Sequence, residues 1–168
     1  MIKEALQGRF MKHPLHPLVV HIPVGLWIAS FISDIAFLIG GNPNFAIFSY
    51  YSLLIGLFGV ALALPTGLAE FASIPRNTRP KQIATTHLVL NLVVSVLVLF
   101  NVLSRYNLEA GVPTLITRGQ FVLSLVSIAI LGVSGYLGGL LVYDHGIGFK
   151  PQLRGRHHEA DRDLKRVA

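Results

Sequence analysis

Residues 17–39 read PLVVHIPVGLWIASFISDIAFLI, and Asp34 carries the only formal charge in this stretch. The weakly charged region is longer still, because Asp34 is also the only formal charge across residues 13–69. Two further stretches, residues 82–104 and 119–143, carry no charge. About 20 predominantly apolar residues are enough for a helix to cross a bilayer. The chain therefore contains two segments that fit one membrane span each and one that fits two.

The overall composition excludes a soluble globular domain. Hydrophobic residues make up 52% of the 168 residues and charged residues 13%, against about 25% charged residues in a typical soluble domain. The mean hydropathy is +0.61. A soluble domain of this size needs a larger polar surface to cover its core, so we interpret the chain as an integral membrane protein.

Four transmembrane helices account for the apolar segments. Backbone polar groups must be paired inside lipid, which favours helices, and the segments lack the alternation of membrane β-strands. Short connections make successive helices antiparallel, so we predict an all-α membrane protein, an up-down bundle of four transmembrane helices. The predicted helices run from about Pro17 to Ile39, from Phe45 to Phe71, from a start between Pro80 and Thr86 to Leu103, and from Gln120 to Val142.

The basic residues predict the orientation of the bundle. Of the 14 Lys and Arg residues, all but Arg105 and Arg118 fall before the first helix, in the loop after the second helix or in the C-terminal tail. The positive-inside rule then places both termini in the cytoplasm. The same rule explains the net charge of +6, so we predict no nucleic-acid partner. No cleavable signal peptide is expected, because the first apolar segment is too long.

These features predict three regions. Residues 1–12 form a cytoplasmic N-terminal segment, residues 13–149 form the four-helix transmembrane domain, and residues 150–168 form a mobile, charged cytoplasmic tail. No internal repeat is evident. Asp34 is expected near the opposite membrane face, where it snorkels to the interface or pairs with Arg105 or Arg118.

The chain contains no cysteine. This excludes disulfides, cysteine-ligated iron–sulfur clusters and a covalently attached c-type haem. Any cofactor must therefore be held by His, Asp, Glu or backbone groups.

Five of the seven histidines are predicted to lie at the cytoplasmic end of the bundle. They are His13, His16, His21, His87 and His145. At about 1.5 Å of rise per residue, His21 lies roughly 6 Å beyond Pro17, and His87 lies roughly 10 Å into a helix that starts at Pro80. These two histidines are therefore expected to face each other at similar depth. Five histidines together at one membrane face favour binding over five unrelated structural roles.

Two patterns accompany the histidines. His87, Asn91 and Ser95 recur at i, i+4 and i+8, which gives the third helix one polar face. Small residues line the second and fourth helices, where they favour close helix packing and would also leave room for a flat cofactor. These small residues are Gly56, Gly59, Ala63, Gly67, Gly132, Gly135, Gly138 and Gly139.

Neutral imidazole is the common protein ligand of haem iron, zinc and copper. We predict a b-type haem with His21 and His87 as its axial ligands. His16 and His145 are the reserve pair, or the ligands of a second haem. Around these ligands, the predicted supporting residues are His13, Asn91 and Glu70.

Three alternatives stay open at this point. His21, His87 and His145 with Glu70 could hold a bare metal ion such as zinc, iron or copper. Alternatively, the histidines could form a proton relay, since imidazole titrates near neutrality. In the third, the protein is a non-enzymatic accessory or assembly subunit whose histidines only pack and form hydrogen bonds. A transporter is the least favoured interpretation, because only one acidic residue lies well inside a span.

The opening motif HPLHPLVVHIP at residues 13–23 and the closing motif GGLLVYDHG at residues 138–146 resemble those of a family of small bacterial membrane proteins. This family is catalogued as domain of unknown function 2231, and the resemblance covers about residues 12–149. It implies a four-helix protein of the bacterial inner membrane without an established activity. The family often has Asp followed by Trp where this chain has Glu70 and Phe71, which weakens a ligand role for Glu70.

Some relatives appear joined to Rieske-type iron–sulfur domains, which is consistent with electron transfer. The function predicted from the sequence is therefore a membrane-bound b-type haem protein that passes electrons, with a quinone or a redox protein as partner. No catalytic residue is assigned, and the sequence leaves open whether the protein forms a homo-oligomer.

Overall fold

The computed structural model describes residues 15–148, which form four long helices and one short pair of strands. The elements are α1 (Leu15–Gly40), α2 (Pro43–Phe71), α3 (Arg79–Ser104), β1 (Tyr106–Asn107), β2 (Val112–Pro113) and α4 (Arg118–Tyr143). Each helix is long and apolar enough to cross a membrane. The predicted all-α, four-helix membrane fold is confirmed, while the cytoplasmic placement of the termini stays a prediction.

Local capping interactions explain where the helices start. The side chain of Asn42 accepts a hydrogen bond from the backbone N–H of Asn44 at 3.0 Å, and Pro43 opens α2, where no N–H donor is needed. Thr117 and Gln120 form a capping box at the start of α4, with hydrogen bonds of 3.3 and 2.8 Å. The starts of α2 and α4 lie within about two residues of the predicted positions.

A short strand pair in the α3–α4 connection was not predicted. Tyr106 pairs with Pro113 and Asn107 with Val112 in antiparallel register. Gly111 adopts a φ of 68° in the turn between them, a conformation that favours glycine. Strands of two residues are too short to leave an alternating pattern in the sequence.

The helices pack as two hairpins, with α1 mainly against α2 and α3 mainly against α4. Buried apolar side chains between them, including Trp27, Leu53, Val94 and Val98, form the main core cluster. Many other large apolar side chains are exposed on the outer faces. In a protein that spans a membrane, these outer faces contact lipid.

The two hairpins are equivalent at a constant offset of 71 residues, which corrects the expectation that the chain lacks an internal repeat. His16 of α1 corresponds to His87 of α3 (87 − 16 = 71), and each ring Nδ1 contacts a backbone oxygen 47 residues further along the chain. The same offset relates buried residues of the two halves. These pairs are Pro23 with Val94, Trp27 with Val98, Ser30 with Asn101, Leu53 with Ser124, and Ala63 with Ser134. Few of these pairs share a residue type. The two halves therefore match in the positions of their buried residues and not in the residues themselves.

Asp34 and Arg105 are related by the same offset and form a buried ion pair. Arg105 donates from Nη1 to Oδ1 of Asp34 at 2.8 Å and from Nη2 to Oδ2 at 2.7 Å, and both side chains are at most 1% exposed. The other three guanidinium N–H groups donate to side-chain oxygens of α2, α3 and α4. These acceptors are Ser49 at 2.7 Å, Asn101 at 2.8 Å and Ser124 at 2.9 Å. The predicted pairing of Asp34 with an arginine is confirmed for Arg105.

Candidate functional site

A cavity of about 440 Å³ lies between the two hairpins, at the end of the bundle opposite the Asp34–Arg105 pair. All four helices line it, and His16, Gly67, His87 and Gly138 provide one residue from each. Small-molecule and cofactor sites are typically cavities of about 300–1,000 Å³ with mostly apolar walls and a few polar groups. This cavity has both properties.

His16 lies in the first turn of α1 and is held by α2. Its Nδ1 lies 3.1 Å from the carbonyl oxygen of Ala63 and 3.1 Å from Oγ1 of Thr66. Thr66 donates its own hydroxyl proton to the Ala63 carbonyl at 2.7 Å, so both oxygens accept from the ring N–H. A Cβ atom at Gly67 would lie 2.7 Å from Cε1 of His16. Position 67 therefore has room for the ring only because it is glycine.

His87 is held by α4 in the same way. Its Nδ1 donates to the carbonyl oxygen of Ser134 at 2.8 Å, and Oγ of Ser134 lies 3.0 Å from the same nitrogen. A Cβ atom at Gly138 would lie 3.0 Å from Cε1 of His87. Ser134 and Gly138 are the equivalents of Ala63 and Gly67 at the 71-residue offset. The two hairpins thus repeat one arrangement of histidine, carbonyl and glycine.

These hydrogen bonds fix the chemistry of both rings. A backbone carbonyl only accepts, so the Nδ1 atoms of His16 and His87 carry the protons, and each neutral ring keeps its lone pair on Nε2. Metal-ligating histidines commonly donate their other N–H in this manner, which orients the ring and raises its basicity as a ligand. Both rings are half-buried and line the same cavity. Each hairpin thus presents one imidazole to the cavity.

Asn91 lies one turn after His87 on the polar face of α3. Its Nδ2 donates to Nε2 of His87 at 3.1 Å and to the His87 carbonyl at 2.8 Å. Ser95 extends this face, and its Oγ donates to the Asn91 carbonyl at 2.7 Å. The equivalent residues of α1 are Val20 and Val24, which also line the cavity. At these two positions the cavity wall is therefore polar on α3 and apolar on α1.

His21 lies at the edge of the cavity and is exposed. Its Nδ1 donates to the carbonyl of Pro17, one turn earlier in the same helix. The equivalent residue of α3 is Leu92, so His21 has no counterpart in the second hairpin. The contacts that mirror those of His87 are made by His16.

The other predicted site residues occupy separate positions. Glu70 is half-buried and lines the cavity. His145 follows α4, is half-buried, and is not among the cavity-lining residues of the described range. His13 lies outside the described residues. Which of these side chains bind a ligand stays a prediction.

Across residues 15–148, no three His, Cys, Asp or Glu side chains come together in a group that could hold a metal ion. The predicted set of His21, His87, His145 and Glu70 does not form such a group there. Zinc sites use three or four protein ligands, whereas a haem iron takes only axial ligands from the protein. His16 and His87 supply two imidazoles to one cavity, which matches the number of protein ligands in the second kind of site and not in the first.

The sequence prediction placed His21 opposite His87 because it counted depth from the expected helix starts. In the structure, α3 begins two turns before His87, whereas His16 is the second residue of α1. The 71-residue offset, which joins His16, Ala63 and Gly67 to His87, Ser134 and Gly138, is the signal that identifies His16 as the counterpart.

Comparison with known proteins gives one match. A family model described as a predicted membrane protein, DUF2231, matches residues 12–151, which include all four helices. No curated protein and no solved structure matches the chain significantly.

Proposed function

The chain belongs to the DUF2231 family of predicted membrane proteins, as its opening and closing motifs indicate, and we propose that it binds one b-type haem between His16 and His87. A haem bound there supplies one-electron redox chemistry, so we assign the protein to electron transfer in the membrane. This proposal replaces His21 by His16 as the partner of His87.

One observation carries the proposal: the two hairpins present equivalent histidines with equivalent supports. Each Nδ1–H is engaged by a carbonyl of the facing helix, Ala63 for His16 and Ser134 for His87. Among residues 15–148, Nε2 of His16 has no hydrogen-bond partner. With their Nε2 lone pairs, the two neutral rings of His16 and His87 would hold a haem through its iron.

The walls of the cavity suit the apolar faces of a porphyrin. Trp27, Val24, Val60 and Leu88 line it from three of the helices. The volume of about 440 Å³ lies within the range of cofactor sites. Glycines behind both rings let the histidines lie close against α2 and α4, which leaves space in the centre of the bundle.

Ligation through Nε2 of His87 requires Asn91 to give up one hydrogen bond. The second bond of the Asn91 amide, to the His87 carbonyl at 2.8 Å, keeps the side chain in place. The Asn91 amide therefore competes with a bound ligand for Nε2 of His87.

The distribution of basic residues predicts that the histidine end of the bundle lies at the cytoplasmic face. Electrons would then be exchanged at this face of the bacterial inner membrane, with a lipid-soluble quinone or a redox protein. A single haem at the histidine end of the bundle would exchange electrons at one face of the membrane only.

A second candidate function uses the same hydrogen bonds. The Nδ1 atoms of His16 and His87 already have partners, so both rings could serve only to join α1 to α2 and α3 to α4. The protein would then be an accessory or assembly subunit without a cofactor.

Haem stoichiometry separates the two functions. The protein is expressed with ample haem, purified in mild detergent, and its haem content is compared with its protein concentration. The proposal predicts one haem per chain, with a low-spin spectrum in the oxidised state because both axial positions are filled by imidazole. Stable protein that contains no haem would contradict the proposal and support the structural role.

A further inference from the structure

The equivalence of the two hairpins breaks at the edges of the cavity. Among the equivalent pairs that line the cavity, four combine a leucine with a glycine, a proline or a histidine. These pairs are Leu64 with Gly135, Leu68 with Gly139, Leu88 with Pro17, and Leu92 with His21. The four leucines all belong to α2 and α3, and their four counterparts all belong to α1 and α4.

The four leucines lie on the side of the cavity where α2 meets α3, and their four counterparts lie on the side where α1 meets α4. The contact of α1 with α4 is fixed by the stacked rings of Phe31 and Phe121, whose centroids are 5.7 Å apart. At about 3.6 residues per turn, Pro17 lies four turns from Phe31 on the same face of α1. By the same count, Gly139 lies five turns from Phe121 on the facing side of α4. Leucines therefore line the α2–α3 side of the cavity, and two glycines, a proline and a histidine line the α1–α4 side.

The α1–α4 side is open at the level of the glycines. Gly135 lines the cavity and is also exposed, and a Cβ atom there would have no neighbour within 4 Å. A Cβ atom at Gly139 would make only an ordinary contact, 3.9 Å from Cδ2 of Tyr143. His21 is exposed at the same edge, and its Nδ1 donates to the carbonyl of Pro17 in its own helix.

The depth of this opening places it in the lipid. Gly139 and Gly135 precede Tyr143, the last residue of α4, by four and eight residues, which corresponds to about 6 and 12 Å along the helix. A helix of 26 residues is about 39 Å long and exceeds the hydrocarbon core, which is about 30 Å thick. The glycines therefore lie at the level of the outer part of the acyl chains of one leaflet.

We infer that the cavity is loaded sideways from the bilayer, through the opening between α1 and α4 at Gly135 and Gly139. The inference rests on the proposed function, so the entering molecule is haem, a flat amphiphile that dissolves in lipid. Its plane passes over the bare backbone of α4, where a side chain would block it. At the equivalent positions between α2 and α3, the side chains of Leu64 and Leu68 occupy the place that the glycines leave free.

The test introduces leucines at Gly135 and Gly139, the positions equivalent to Leu64 and Leu68. Wild-type protein and the double variant Gly135→Leu/Gly139→Leu are prepared without haem and placed in lipid vesicles, and haem is added to the lipid. Uptake is followed by the Soret absorbance. The inference predicts uptake and release about tenfold or more slower in the double variant, equivalent to about 1.4 kcal/mol in the barrier, with the same final haem content.

Two further variants make the result specific. Gly25→Leu is the matched control, because Gly25 is exposed on α1 and does not line the cavity, and a Cβ atom there would have no neighbour within 4 Å. It should take up haem at the wild-type rate. Adding Leu64→Ala and Leu68→Ala to the double variant should restore fast uptake by opening the equivalent passage.

The outcomes separate this inference from the proposed function. Wild-type protein that takes up no haem would contradict the proposed function itself. Wild-type protein that binds haem while the double variant takes it up equally fast would overturn only the lateral entrance. A double variant with a lower final haem content would also overturn it, because the glycines would then belong to the binding site and not to its entrance.

Discussion

Asp34 and Arg105 hold the same position in the two halves of the protein, and they bind each other. The guanidinium group of Arg105 donates to both carboxylate oxygens of Asp34, at 2.8 and 2.7 Å, and its remaining N–H groups are all satisfied. The pair joins α1 to the end of α3, and its other partners lie on α2 and α4. One fully paired buried network thus fixes the two hairpins against each other at the end opposite the cavity.

Breaking this ion pair should strongly destabilise the fold. Removal of one partner of a buried pair leaves the other charge without compensation and costs about 3–5 kcal/mol. We expect Asp34→Asn and Arg105→Met each to lower the free energy of unfolding in detergent by an amount in this range. Arg118→Ala is the matched control, because Arg118 is exposed at the same end and should change stability little.

The equivalence of the two positions makes a second prediction about the pair. Because Asp34 and Arg105 are related by the internal repeat, exchanging them in Asp34→Arg/Arg105→Asp keeps the charges opposed. We expect the exchanged protein to be more stable than either single variant, although less stable than wild type, since Ser49, Asn101 and Ser124 are arranged for the native arginine. An exchange variant as unstable as Asp34→Arg alone would show that the two positions are not equivalent.

The glycines behind the histidines should control ligand affinity. A Cβ atom at Gly67 would lie 2.7 Å from His16, and one at Gly138 would lie 3.0 Å from His87. The displaced ring must leave its preferred rotamer, at a cost of about 0.5–1.5 kcal/mol, which weakens haem binding by up to about tenfold.

A haem titration of each alanine variant measures this effect. Gly67→Ala should weaken binding more than Gly138→Ala, because its contact is closer. Gly132→Ala serves as the control, since a Cβ atom at Gly132 meets nothing within 4 Å. If all three variants bind haem like wild type, the rings are not held where the structure places them.

Asn91 should compete with the ligand for His87. Its amide donates to Nε2 of His87 at 3.1 Å, and a hydrogen bond of this kind contributes about 0.5–1.5 kcal/mol. Asn91→Leu removes the donor and keeps four side-chain heavy atoms branched at Cγ, so we expect up to about tenfold tighter haem binding. Weaker binding in this variant would instead assign Asn91 to direct recognition of the bound molecule.

Much of the fold follows from the sequence because each cause is local. Charge-free segments of about 20 residues predict the spans, and Asn42 with Pro43 and Thr117 with Gln120 mark helix starts. The lone charge of Asp34 inside a span predicts a buried partner, since such a charge is costly in lipid. These predictions needed only the spacing of residues along the chain.

The pairing within the site did not follow from the sequence, because it depends on the register between hairpins. His16 and His87 lie at different distances from the starts of their helices, two residues against two turns. Lipid-facing positions accept any apolar side chain, so equivalent positions on the outer faces of the two halves carry different residues. The repeat is therefore not visible as sequence similarity. The difference between Leu64 and Gly135 can be recognised only when the 71-residue offset identifies them as equivalent positions.

The central claim is that His16 and His87 together hold a haem, and the most direct measurement is the reduced-minus-oxidised absorption spectrum of purified variants. We predict that wild type and His21→Ala show a sharp reduced α-band and a shifted Soret peak. His16→Ala and His87→Ala should each lose this signature while remaining folded. Full haem content in both of these variants, or a featureless wild-type spectrum after expression with ample haem, would contradict the account.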